Sequence, residues 1–178
     1  MSKAFTSEET RAPPILSRDP PALAPGEVRY ITPEGHAELR AALARLDEER
    51  AAAASLPEHE RAARAEDFER RAALLRGTLA ALTILGPEAA PEGRVAFGTW
   101  VTVEDAEGAR ITYRIVGPDE ADPRRGLLNV EAPLARALLG RGAGETVEVR
   151  RPRGQTELTV VSVRRTAVPD AEATPRSS

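Results

Sequence analysis

The chain has no cysteine and only two histidines, His36 and His59. Without thiols there is neither a disulfide framework nor a thiolate site, and two imidazoles do not by themselves build a zinc centre. Neither a metal of the chain's own nor a cofactor is therefore expected. No apolar run approaches the roughly 18 residues of a spanning helix, and residues 1–28 lack the apolar stretch of a secretory signal. The expected location is cytoplasmic, away from any membrane. An excess of positive charge is missing too: the formal net charge is -3. Affinity for nucleic acid comes mainly from clustered cations that neutralise phosphates. Contact with RNA or DNA is thus expected only inside a larger complex. What remains is 41% apolar and 30% charged residues over 178 positions, the balance of a folded soluble protein with one ordinary domain or two small ones.

Prolines 13, 14, 20, 21 and 25 fall in residues 1–28 with little hydrophobic periodicity. Such a segment buries too little apolar surface to offset ordering, and a disordered tail is expected there and again at 166–178. Thr32 then offers a capping oxygen and Pro33 a preset backbone angle at the first helical position, which starts a helix. Leu39, Leu43 and Leu46 recur at four and three residues, and the alanines at 51–54 continue the seam toward Ser55. Pro57 cannot extend that helix, so the chain turns near Leu56. A second helix carries Phe68, Ala72, Leu75, Leu79 and Leu82 at the same alternation until Gly86-Pro87 stops it. Two facing seams predict an antiparallel coiled-coil hairpin over 29–86. Gly77 inside the second helix costs about 1 kcal/mol relative to alanine, and either admits a close partner or serves no purpose.

Beyond a linker at 87–93, Val95, Phe97, Val101 and Val103 predict a strand interrupted near Gly98, with a turn over Glu104–Gly108. Ile111, Tyr113 and Ile115 alternate in the next strand, ended by Gly117-Pro118. A short strand follows at 127–130, a helix from Pro133 to about Leu139, and a last strand pair, Thr146–Arg150 and Glu157–Arg164, around Pro152-Arg153-Gly154. The fold class is α+β: the hairpin, then a small antiparallel sheet domain over 94–165 that carries one helix.

Within this layout, Tyr30-Ile31-Thr32-Pro33-Glu34-Gly35, Phe97-Gly98-Thr99-Trp100-Val101, Arg114-Ile115-Val116-Gly117 and Glu131-Ala132-Pro133-Leu134-Ala135-Arg136 resemble the GreA/GreB family of transcription elongation factors, on its GreB side. The resemblance covers about residues 29–165. It implies an FKBP-like topology for the sheet domain. It also implies a monomeric accessory factor, with no chemistry of its own, that binds RNA polymerase at the secondary channel and meets RNA or DNA only within the elongation complex.

In that family the hairpin tip carries carboxylates that help hold the polymerase's second catalytic magnesium during cleavage of a backtracked transcript. Magnesium demands oxygen ligands in a fixed arrangement at about 2.0–2.1 Å. Here the tip reads Ser55-Leu56-Pro57-Glu58-His59-Glu60-Arg61, with Glu58 and Glu60 as the acidic candidates but without the family's Asp and Glu three positions apart. Glu58 is read equally as the second half of a Ser55-x-x-Glu58 capping box, Glu60 as a helix-start acid favoured by the dipole, and His59 as an exposed, passive side chain. The arm is also shorter than in GreB-like relatives by about a heptad on each helix, on the order of 10 Å of reach. Weak or absent cleavage stimulation is the expectation, and full stimulation through Glu58 and Glu60 is the alternative.

The resemblance places a basic arm face near extruded RNA, for which Arg61, Arg64, Arg70 and Arg71 are the candidates. Interleaved Glu66, Asp67 and Glu69 fit ordinary solvated ion pairs as well. It also assigns the polymerase grip to the loop Asn129–Leu134, with Asn129, Glu131, Ala132, Pro133 and Leu134 as candidates. Ala132 stands where the family usually has serine, and Pro133 is equally a helix-start residue. Two readings from other classes remain. A prolyl isomerase would need more than Phe97, Trp100 and Tyr113 to wall a proline pocket, and a coiled-coil adaptor would not bind polymerase.

Overall fold

The computed structural model describes residues 28–151 and 154–166. The tails expected at 1–28 and 166–178 lie, but for Val28 and Thr166, outside the described residues. Strand β1 (Arg29–Ile31) leads into helix α1 (Pro33–Ala53), a turn at 54–57, helix α2 (Glu58–Ala81) and strand β2 (Leu82–Ile84). Thr32 caps α1 as its sequence position predicts: its hydroxyl accepts from the Gly35 amide at 3.0 Å, with Pro33 at the first helical position. The helices run antiparallel, since Asp47, Glu49 and Arg50 meet Arg76, Arg71 and Glu69 in descending order. Leu46, Ala72 and Leu75 form the buried seam between them, flanked by Leu39, Ala42, Leu43 and Phe68.

Helix α2 stops earlier than the heptad pattern predicts. Leu82 leaves the seam, and Leu82–Ile84 pairs in parallel with β1, Arg29 opposite Leu82 and Ile31 opposite Ile84. This pairing joins residues more than 50 positions apart, so a window along α2 carries no trace of it. Periodicity extends the helix; the tertiary partner ends it.

The second unit is a five-stranded sheet in the order β5-β4-β3-β7-β6, from β3 (Trp100–Asp105), β4 (Arg110–Val116), β5 (Leu127–Asn129), β6 (Thr146–Arg151) and β7 (Gly154–Arg164). It is mixed, not wholly antiparallel as expected: β5 lies parallel to β4. The connection between them, Gly117–Gly126, crosses back and holds a 3-10 turn at Pro123–Arg125. The first strand of the pattern is also shorter than expected. Gly98 has φ +81° with the Pro87 backbone against it, and Thr99 folds its hydroxyl back onto Ala96. Val95 therefore pairs with the segment at 140–141, and the strand proper begins at Trp100. Helix α3 (Pro133–Leu138) closes one face of the sheet. Val95, Val101, Val103, Ile115, Ala135, Leu138, Val147, Val149, Leu158 and Val160 make the core.

Candidate functional site

At the tip, the structure does not form the expected capping box. The N-cap of α2 is Pro57, whose carbonyl accepts from the Glu60 and Arg61 amides at 3.0 Å each. Ser55 instead donates its hydroxyl back to the Ala52 carbonyl at 2.9 Å. The helix thus begins two residues later than a Ser55 cap requires, and Glu58 becomes its first residue. There its carboxylate meets the Arg61 guanidinium, while Glu60 faces Arg64 at 3.8 Å. Both acids stand in the first turn, where the helix dipole favours them. Residues two apart on a helix point about 200° apart around its axis. The two carboxylates accordingly diverge into separate ion pairs and do not converge on one point. His59 is exposed between them.

The four arginines considered for RNA contact each have an acidic neighbour. Arg61 meets Glu58 and Arg64 meets Glu60. Arg70 reaches Asp67 at 2.5 Å, and Arg71 lies 3.5 Å from Asp67 and 3.9 Å from Glu49. The arm surface is an interleaved lattice of ion pairs, not a bare cationic stripe.

In the loop before α3, the Asn129 side chain accepts from the Glu131 amide at 2.9 Å, and its carbonyl accepts from the Ala132 amide at 2.9 Å. These two bonds fix the bend. Pro133 is the first residue of α3, and Ala132 caps the helix without a side-chain bond. Glu131 and Pro133 are exposed, whereas Ala132 and Leu134 pack against the sheet core. Of the five candidates, two turn inward and support the loop, and Glu131 and Pro133 make its outer surface.

A further cluster lies where the arm meets the sheet. Arg29 pairs with Asp119, both nearly buried. Glu34 receives Arg114 at 2.7 Å, and Arg114 stacks 5.5 Å from the centre of the Trp100 ring. Glu38 receives both terminal nitrogens of Arg125. Burial pushes the Glu34 carboxyl up, but its own backbone amide and Arg114 outweigh this and hold it below its ordinary value. Arg125 holds Glu38 low, and Glu38 in turn raises Arg125. Between these groups is a cleft of about 180 Å³ lined by Glu34, Gly35, Glu38, Trp100, Arg114, Glu120, Arg125 and Leu127. Sequence reasoning missed this cluster, because its partners are 80 to 90 residues apart. The only local hint is the crowding of charge in Asp119-Glu120-Ala121-Asp122 directly after a strand.

The architecture is that of a paired-helix arm fixed at its base to a mixed sheet unit, with functional candidates at the tip and on a loop of the sheet. Residues 90–165 match the family model described as "Transcription elongation factor, GreA/GreB, C-term". Transcription elongation factor GreB of Pseudomonas aeruginosa is 40% identical over 148 residues, covering 75% of this chain and 88% of the relative. GreB of Xanthomonas axonopodis pv. citri is 38% identical over 149 residues, covering 75% and 89%. GreA of Neisseria meningitidis serogroup A is 43% identical over 110 residues, covering 60% and 70%. Among solved structures, GreA factor homolog 1 (Gfh1) of Thermus thermophilus matches at 24% identity and TM-score 0.38, over 78% of this chain and 99% of that one. The chain belongs to the GreA/GreB family of transcription elongation factors. No helix among the described residues is long and apolar enough to cross a membrane.

Proposed function

We infer that this chain is a monomeric Gre-type accessory factor that binds RNA polymerase at its secondary channel and modulates elongation with little or no stimulation of transcript cleavage. An FKBP-like unit at 94–165 holds the rim through the Asn129–Leu134 loop. The coiled-coil arm at 29–86, joined through 87–93, reaches inward.

The carrying observation is the placement of Glu58 and Glu60 in the first turn of α2, with side chains diverging toward Arg61 and Arg64. Magnesium is held through one or two carboxylates, with phosphate and water as its other ligands, and acids two apart on a helix do not offer it a converging pair. Length supports the same reading. The 21 residues of α1 span only about 31 Å. The P. aeruginosa relative aligns over 148 positions that take up 75% of this 178-residue chain, about 134 residues, so about 14 positions lie opposite gaps here. Gaps of that size amount to two heptads, which a hairpin shortened by one heptad on each helix would account for. A shorter arm still occupies a channel and obstructs it.

The test is to add the protein to stalled, backtracked elongation complexes and follow short 3′ RNA fragments alongside binding to core polymerase. Binding without rapid fragment release is expected. Rapid release that Glu58→Ala and Glu60→Ala abolish would establish a fully cleavage-stimulating factor instead.

A further inference from the structure

Helix α1 lacks half of its own cap. In a capping box the third helical residue returns a carboxylate to the backbone amide of the N-cap residue. Here that third residue is Gly35, which has no side chain. The Thr32 amide is nevertheless bonded, at 2.9 Å, to Glu120 of the sheet unit, 88 residues away. The other Glu120 oxygen accepts the Thr32 hydroxyl at 2.5 Å, while that hydroxyl accepts from the Gly35 amide at 3.0 Å. Glu120 also accepts from the Gly117 amide at 3.2 Å, which anchors it to its own loop. Thr32 is fully buried. A methyl group at position 35 would occupy the space of the Glu120 carboxyl, so the missing side chain and the inserted carboxylate are complementary.

We propose that Glu120 is the positioning residue that aims the arm, completing from the sheet side a capping box divided between the two units. Its effect follows from where it acts. A bond at the first turn of a helix about 31 Å long bears on the direction of the whole rod, and a change of about 10° there moves the tip by about 5 Å. The Glu34–Arg114 and Glu38–Arg125 pairs lie further along α1, but their glutamates are more than half exposed and salt screens them. The Glu120 bonds end on fully buried Thr32 and are screened less. Arg29–Asp119, on the residue beside Glu120, ties down β1 directly before the helix start.

Because the chain has no cysteine, spin labels can be placed cleanly at His59→Cys on the tip and Glu107→Cys on the β3–β4 turn, both exposed. The unaltered background should give one narrow distance peak in the isolated protein, whether or not it binds polymerase. Glu120→Ala and Gly35→Ala, the second by evicting the carboxylate, should each lose that peak to a broad distribution while the far-UV helical signal persists. Glu38→Gln should keep it. If Glu120→Ala fails to fold, Gly35→Ala carries the measurement. A narrow, unshifted peak in the folded variants overturns the proposal even if their melting temperature falls, since that marks a purely stabilising contact.

Discussion

Arg125 donates from both terminal nitrogens to both carboxylate oxygens of Glu38, at 2.9 and 2.7 Å, across 87 residues of sequence. Glu34 and Glu38 are four apart on α1 and face the sheet unit together, each held by an arginine from it. The arm base is thus fastened along one helical face by a bidentate Arg125 fork on Glu38 and a single Arg114 contact on Glu34.

The pH dependence of this fastening has a definite sign. Glu38 is held below its ordinary value of 4.5 by the Arg125 hydrogen bond. A carboxyl lowered by folding contributes stability that is fully present above its unfolded value and is lost as pH falls through the lowered folded value. Glu38→Gln should therefore reduce stability near neutral pH by about 0.2–1 kcal/mol, the range for an exposed pair. The difference from the parent should persist down to about pH 4.5 and vanish below it. Thermal denaturation from neutral into acid, at low and high salt, checks both the window and the screening.

Gly77 gives a prediction of opposite direction. It lies in the interior of α2, is exposed, and a methyl group there meets nothing within 4 Å. Of the two roles open at this position, close approach of the partner helix is therefore excluded. Gly77→Ala should stabilise the protein by up to about 1 kcal/mol through helix propensity alone, read as a raised denaturation midpoint with unchanged polymerase binding.

What the sequence made legible follows the range of the interactions. The Thr32-Pro33 start of α1, the seam of Leu46, Ala72 and Leu75, and the strand over Arg110–Val116 are written in neighbouring residues, and each was readable. The end of α2 and the parallel placement of β5 depend on partners far along the chain, so local pattern gave the wrong helix end and a wholly antiparallel sheet. At the tip, Ser55-x-x-Glu58 has the spacing of a capping box, yet Pro57 takes the N-cap position and displaces it. The clamp of Arg29, Arg114, Glu120 and Arg125 was invisible for the same reason as β2: each member finds its partner only once the two units are in place.

Leu75 tests whether the hairpin seam is a separate centre of stability. It is 1% exposed and packs with Leu46 and Ala72, while the sheet core is built from a different set of residues. Leu75→Ala should cost about 2–5 kcal/mol of hairpin stability by leaving a cavity. Far-UV helical signal should melt at lower temperature, whereas amide exchange of β3, β4 and β7 should stay protected. Equal loss of protection in both would mean that arm and sheet unfold as one unit.

The loop before α3 separates surface from scaffold within six residues. Glu131 is exposed, and its backbone amide donates to the Asn129 side chain. Glu131→Arg should therefore leave the melting temperature unchanged while weakening binding to core polymerase by about tenfold, or about 1.4 kcal/mol, if this loop grips the rim. Leu134→Ala attacks the same site from beneath, because Leu134 packs against the sheet core; it should lower both stability and binding. Titrating a fluorescently labelled protein with core polymerase measures each. Unchanged affinity for Glu131→Arg, with the fold intact, would move the docking surface away from this loop and onto another part of the sheet unit.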